Sequence, residues 1–405
     1  MYSLERLLNH FYMPRRKLTG LEALMVNYPI FQLAAGMMAS FGVLYVYLLG
    51  DGLMAGLGLV FLFFSLQRTV VGLVVPVITK VIGKLGYRWT IFVSLVFLIL
   101  KTLVLMQMNQ FNLWLIGPAT FFGGIAIASY YMSYHGMFLT DNDDSKIGRQ
   151  MGLVTMVGRM GVMMAPLLAG LLIQQYSYNV MFMVAIGLLV LSSFPLFLMP
   201  HHDHKKERFS IKEAFLLLKK KEGFLDSATW WHFENGLQSF WWPILLFLIA
   251  GSFAKFGMIG SGVMVANSVA VYFAGRLYDR RKLRKVYPVF TAVVAVSNAM
   301  RYSSNTLGMG IASDSLNRVA SPFWWMKIRR NSLVDGENYE PMVFAAAWEW
   351  SACFGYLASL MVGYLILMFS NGQWQWLMVP AVIANIAAGV GVRKDEGGIR
   401  PLNKY

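Results

Sequence analysis

The sequence predicts an all-α polytopic membrane protein with twelve transmembrane helices in two six-helix halves. Of 405 residues, 57% are apolar or aromatic and only 14% are charged, whereas a soluble domain carries about 25% charge. Residues 102–140, 160–202 and 350–392 run for 39, 43 and 43 positions without Asp, Glu, Lys or Arg. One bilayer crossing needs about 20 predominantly apolar residues, so each run holds two crossings and a turn. Polar punctuation divides the chain into twelve segments, six on either side of a charged central stretch, His201–Gly223.

In chain order, residues 1–23, with Arg6, Arg15, Arg16 and Lys17, read as a retained cytoplasmic tail, because the apolar segment behind it is long enough to span and shows no small-residue cleavage site. The first half, 24–199, contains segments 24–49, 53–80, 89–107, 112–137, 150–173 and 179–199. They are separated by Asp51, the basic turn Lys80 to Arg88, the uncharged turn 107–112, the polar stretch 141–149 and the uncharged turn 174–179. Residues 200–224 form a basic cytoplasmic linker. The second half, 225–392, contains segments 226–250, 254–275, 287–303, 306–326, 342–369 and 373–392, the last two joined by the uncharged turn 370–373, and 393–405 form a cytoplasmic tail. The uncharged turns read as tight hairpins at one membrane face.

The distribution of basic residues orients this arrangement. Of 35 Lys and Arg, 29 lie in the tails, the linker and the alternate connections of one side, only Lys255 lies opposite, and Arg68, Lys101, Arg159, Arg301 and Arg318 fall inside segments. Basic residues near spans stay on the cytoplasmic side. Both termini and the linker are therefore placed in the cytoplasm of a cell whose inner membrane holds the protein. The net charge of +15 is then a topological signal and does not mark a nucleic-acid partner. A lone Cys353 excludes an intrachain disulfide or a cysteine metal cluster. No cofactor or metal is expected, and His201-His-Asp-His204 reads as part of the charged linker. The chain lacks a G-x-x-x-x-G-K-[ST] phosphate loop, which excludes ATP-driven transport by this chain at the level of motifs.

Two echoes mark an internal duplication. Gly83-Lys-Leu-Gly-Tyr-Arg88 and Gly275-Arg-Leu-Tyr-Asp-Arg280 follow equivalent segments 192 residues apart, and Gly161 to Gly170 is echoed by Gly355 to Gly363, with Gly161 and Gly355 194 residues apart. The stretch Gly275 to Arg284 resembles the signature loop of the major facilitator superfamily, G-x-L-x-D-R-x-x-x-R. The first copy keeps Gly83, Leu85 and Arg88 but has Tyr87 where the acid is expected. Gly161-Val-Met-Met-Ala-Pro166-Leu-Leu-Ala-Gly170 is similar to the family's antiporter-associated G-x-x-x-G-P-x-x-G-G, with alanine at two glycine positions. The resemblance covers nearly the whole chain. It implies gating roles for Gly83, Arg88, Gly275, Asp279, Arg280, Gly161 and Pro166, through close helix approach, charge-assisted contacts and a proline bend.

An ionisable group inside a span needs a partner, an aqueous cavity or a function. Arg159, Glu234 and Arg318 lie near the midplane, Arg68 lies deep in segment 53–80, and Glu349 sits in the inner third of its segment. Lys101 and Arg301 lie nearer the outer ends, from which they are expected to snorkel. Asp314 and Arg318 share a helix face, so they either neutralise each other or leave Arg318 free. Arg159, Arg318 and Arg68, with Trp241, are the candidate substrate-binding residues. Glu234, Glu349 and Asp314 are the candidates for proton coupling, the two glutamates alternatively forming fixed ion pairs with Arg68 or Arg159. His135 is read as a satisfied packing residue.

The function expected is secondary active transport of a small organic solute, anionic or amphipathic, by alternating access and coupled to protons or another ion. The chain is expected to act as a monomer in the lipid bilayer and not as an enzyme. A polytopic enzyme acting on lipids and a non-transporting sensor on the same fold are the alternatives, since fold does not fix function.

Overall fold

The computed structural model describes residues 20–140, 147–198, 209–219, 224–279, 283–336 and 339–398. Among these residues the chain is helical between short turns, with the elements α1 (Gly20–Leu48), α2 (Leu53–Gln107), α3 (Ile116–Thr140), α4 (Ile147–Gln175), α5 (Tyr178–Ser193), α6 (Ile211–Lys219), α7 (Phe224–Gly236), α8 (Trp242–Ala250), α9 (Phe253–Asp279), α10 (Leu283–Tyr302), α11 (Leu307–Gly336), α12 (Pro341–Phe369) and α13 (Met378–Gly398).

These elements form the twelve spans. With 55 residues, α2 would be about 80 Å long at 1.5 Å per residue, far more than one crossing. Gly86 breaks it with φ 79°, a left-handed backbone that glycine adopts without steric cost. The two arms are separate spans. α7, a π-helical turn (Leu237–Trp241) and α8 together make the seventh. Seven of the described helices are apolar enough to cross a membrane on composition alone, α2 among them. Of the others, the last is apolar but shorter, the seventh is divided by its π-helical turn, and α10 and α11 are more polar, carrying buried Asn298, Arg301, Asp314 and Asn317.

α9 and α11 run several residues beyond the apolar segments, since hydropathy marks the bilayer and not the helix end. α6 lies inside the stretch expected to be a charged linker. Its signal was Ser210-Ile-Lys-Glu213, a capping box, and Ser210 Oγ accepts from Glu213 N at 3.2 Å. Ala214 and Leu217 of α6 are buried.

The halves meet along two seams built alike. In one, α4 packs on α9: a Cβ on Gly170 would strike the Phe253 carbonyl, Gly257 lies against Pro166, and Ser261 Oγ accepts at 2.9 Å from Leu167 N. In the other, α2 packs on α12: Gly72 faces Cys353, Trp350 Nε1 donates to the Gly72 carbonyl at 3.0 Å, and Phe61 stacks on Tyr364 at 4.8 Å. The glycine echo has the same structural role in both halves. Gly161 sits on the Pro29–Leu33 backbone of α1, and Gly355 sits on the Thr229–Phe233 backbone of α7.

Gly161→Leu should therefore lower the Tm of the purified protein by several degrees, since overpacking against a rigid backbone costs about 1–3 kcal/mol. Gly262→Ala, at a helical position facing open space, should leave Tm unchanged or raise it slightly. Thermal unfolding in detergent checks both.

Candidate functional site

A cavity of about 400 Å³ lies between the halves. Its walls come from α1 (Tyr28, Gln32), α4 (Gly158, Arg159, Val162), α7 with the π-helical turn (Trp231, Glu234, Asn235, Gln238, Ser239), α9 (Met264, Asn267) and α11 (Arg318, Ser321, Trp324, Trp325, Arg329). Towards the end of the molecule that bears the Gly251–Ser252 turn, an aromatic cap joins the halves. Phe41 meets Phe256 edge-on at 5.2 Å, Tyr178 meets Phe253 at 5.6 Å, and Phe253 stacks on Phe247 at 4.9 Å. Phe41 lies roughly 14 Å along α1 from Gln32 at 1.5 Å per residue.

Arg159 and Arg318, from opposite halves, both line this cavity, as does Glu234. The Arg159 guanidinium lies 5.8 Å from the Trp325 ring centroid, and its Nε has no hydrogen-bond partner. Glu234 is buried and accepts hydrogen bonds at Oε1 from Gln238 and from Asn298 Nδ2, the latter at 2.9 Å. It is the one carboxylate on the cavity wall among the described residues. Arg329 adds a third guanidinium, which the sequence did not single out because it sits in a basic run typical of a span end.

The other candidates lie outside the wall. Arg68 stacks on the Tyr356 ring at 3.9 Å, and Tyr356 accepts from the cavity residue Asn235 at 2.6 Å. Trp241 is fully buried, donating at 3.2 Å to the Ser359 carbonyl and filling the space that Gly363 leaves. Glu349 is buried with its Oε1 3.7 Å from His135 Nε2 across the halves. No ion pair with Arg68 or Arg159 forms among the described residues.

Arg301 corrects the sequence expectation. It does not snorkel: it is fully buried because it pairs with Asp314. Asp314 also accepts from Trp242 Nε1 at 3.1 Å and lies 3.7 Å from Arg318 Nε. The Asp314–Arg318 pair expected from their spacing is thus the looser of two contacts. Asn298 connects this pair to the cavity. Its Oδ1 accepts from Arg301 Nη1 at 3.3 Å and from Asn317 at 2.9 Å, which turns its Nδ2 towards Glu234 and Asn385, the latter at 2.7 Å. Periodicity gave no access to this network, because its members come from α7, α10, α11 and α13.

Among the gating candidates, Gly161 and Pro166 make the close approaches described above. Gly83 does not: a Cβ there meets nothing within 4 Å, and the residue that shapes this loop is Gly86. Arg88 lies over Trp89 and Phe197, at 5.2 and 5.8 Å. Gly275 and Asp279 fall in the last five residues of α9, and Arg280 lies outside the described residues.

Twelve spans in two halves with a polar cavity at their junction define a membrane transporter of the two-bundle class. The model of the Major Facilitator Superfamily matches residues 23–255, and the chain belongs to that family. Solved structures share its fold, among them the following two. A variant of the Escherichia coli fucose:proton symporter superposes with a TM-score of 0.67 at 12% identity, over 92% of this chain and 97% of that one. A D-xylose-proton symporter superposes with a TM-score of 0.69 at 12% identity, over 91% and 96%. No curated protein sequence gives a match.

Arg301→Gln should destabilise the protein by up to about 3–5 kcal/mol, the cost of breaking a buried ion pair, less what Arg318, 3.7 Å from Asp314, recovers. The double variant Arg301→Gln/Asp314→Asn removes both charges and should recover most of that loss. Equal Tm losses in the single and double variants would contradict the pairing.

Proposed function

We propose that the protein is a secondary active transporter that moves a small organic anion by alternating access, coupled to protons, with both termini and the 200–224 stretch on the cytoplasmic side of a cell membrane. The observation that carries this reading is the charge of the cavity wall, with Arg159, Arg318 and Arg329 facing a single carboxylate, Glu234. A guanidinium fork suits carboxylate or phosphate. The two arginines that come from different halves give the anion a reason to draw the halves together, as expected for a site at the junction of two repeats.

Glu234 is the proton carrier in this reading. Asp314 is held by two guanidinium groups and has little use for a proton, while Glu349 faces His135 away from the cavity wall. Glu234 is held by neutral amides, and both of those bonds fall on Oε1, leaving Oε2 to take the proton. Protonation removes the one negative charge on the wall and strengthens attraction for an anion. Proton and anion therefore bind with positive linkage, which is reciprocal by thermodynamic necessity and favours carrying both in the same direction. The two solved structures named above are also proton symporters by their descriptions, and the positive-inside count supports the orientation.

In proteoliposomes, an organic-acid substrate should accumulate against its gradient when an inward proton gradient is imposed. Glu234→Gln should still exchange substrate but lose proton-driven accumulation. Arg159→Gln and Arg318→Gln should each reduce uptake at least about tenfold, equivalent to about 1.4 kcal/mol. Unchanged uptake in both arginine variants would remove them from the substrate site.

A further inference from the structure

We infer that α6 is an in-plane membrane anchor: its exposed apolar face lies in the cytoplasmic leaflet, and the basic residues around it hold acidic phospholipid headgroups. The orientation proposed above is required for this; the identity of the substrate is not.

α6 has more apolar surface than its packing uses. Ala214 and Leu217 are buried where the helix lies against α12. Ile211, Phe215 and Leu216 are 51%, 45% and 51% exposed, and the first two, four residues apart, share a helix face. A short helix that leaves apolar side chains over on one face, with basic residues beside them, has the pattern of a segment lying in a membrane interface.

The helices that α6 touches fix its depth. The outer ends of α2 and α12 are level, since a Cβ on Gly372, in the turn after α12, would strike Leu53, the first residue of α2. Counting inward, Gly72 is 19 residues beyond Leu53 and Trp350 is 19 residues before Phe369, about 28 Å in each case at 1.5 Å per residue. Both counts end at one point, because Trp350 Nε1 donates to the Gly72 carbonyl at 3.0 Å. A hydrocarbon core is about 30 Å thick, so this bond marks its inner boundary, a level that tryptophan favours. Phe215 meets the Trp350 ring edge-on at 6.5 Å, which puts α6 at headgroup depth.

Continuity of the apolar surface makes the occupant lipid and not a second protein. Phe354, four residues along α12 from Trp350 and on the same face, is exposed, as are Leu73 and Val77 next to Gly72 on α2. On spanning helices such side chains face acyl chains, and through Phe215 and Trp350 the exposed face of α6 continues their surface. The charge is complementary to an acidic leaflet. Lys212 is exposed, and the stretch 200–224 carries seven Lys or Arg against four Asp or Glu, with Lys219, Lys220 and Lys221 falling where α6 ends. Basic residues at the cytoplasmic surface are attracted to anionic headgroups within about a Debye length. Since Ala214 and Leu217 tie α6 to α12, lipid held there braces the inner end of that span.

The test is fluorescence quenching by lipid on the full-length protein. In a Cys353→Ser background, Ile211→Cys carries a single fluorophore, and the protein is reconstituted in phosphatidylcholine vesicles containing equal fractions of either brominated phosphatidylglycerol or brominated phosphatidylcholine. Both brominated lipids should quench the probe, the phosphatidylglycerol at least about twofold more strongly at low salt, and the difference should shrink at high salt as screening takes effect. Replacing Lys212, Lys219, Lys220 and Lys221 together by Gln should keep the quenching and lose the preference. A probe quenched by aqueous iodide and by neither lipid would overturn the anchor, as would one shielded from both iodide and lipid, the result expected if a second copy covers this face. Equal quenching by the two lipids at low salt would overturn the acidic-lipid assignment. If labelling prevents folding, thermal unfolding of the unlabelled protein in nanodiscs decides: phosphatidylglycerol should raise Tm by several degrees over phosphatidylcholine alone, an effect lost in the four-lysine variant, and equal Tm values would overturn the proposal. None of these readouts involves transport, so their failure leaves the anion reading in place.

Discussion

The buried carboxylate of Asp314 is the charge around which the second half is arranged. A charge in a hydrocarbon-bounded interior is tolerated only when it is paired and its remaining lone pairs are bonded. Arg301 provides the direct partner, Trp242 adds an N–H, and Arg318 stands at 3.7 Å. With Arg301 as the main counter-ion, Arg318 is not needed to neutralise Asp314 and is left with its side chain on the cavity wall. Arg301 in turn fixes the Asn298 amide, and through it the environment of Glu234. One buried ion pair thus sets both the cation proposed to hold substrate and the carboxylate proposed to carry the proton.

The seams between the halves follow a different rule. There is little hydrophobic gain in packing apolar helices in lipid, so association depends on close approach and on hydrogen bonds between helices. Gly170 and Gly257 let the α4 and α9 backbones touch, and Ser261 serves the Leu167 N–H in the turn where Pro166 has interrupted the helical ladder. Across the other seam, Trp350 bonds the Gly72 carbonyl. Contacts of this kind are directional, a suitable construction for the rocking of one bundle against the other that the proposed alternating access requires. Beside them, His135 and Glu349 meet across the halves at 3.7 Å, a polar contact that such a motion would have to part.

The class, the spans and the duplication were legible in the sequence because each depends on local composition. Charge depletion marks what is in the bilayer, and the pairing of Gly161 with Gly355 marks two helices that each settle on the first helix of their own half. The depth of Arg159, Glu234 and Arg318 along their helices also follows from counting, since a helix rises by a fixed 1.5 Å per residue. Which groups meet was only partly legible: spacing gave the Asp314–Arg318 contact, but not the partners that come from other helices. Arg301 was placed at the surface by depth alone, Trp241 was placed in the cavity by residue type alone, and Gly83 was given a helix contact that Gly86 made unnecessary by turning the chain there.

By itself, then, the sequence determined that this is a twelve-span membrane protein with a few ionisable groups near the middle, because the hydrophobic effect and helical rise act on each segment independently of the others. Only the tertiary structure decided that Asp314 belongs mainly to Arg301, that Arg159 and Arg318 line one cavity from opposite halves, and that Asn298 connects the buried ion pair to Glu234. Those outcomes depend on the rotation of each helix about its own axis and on which helices are neighbours, and long-range packing fixes both.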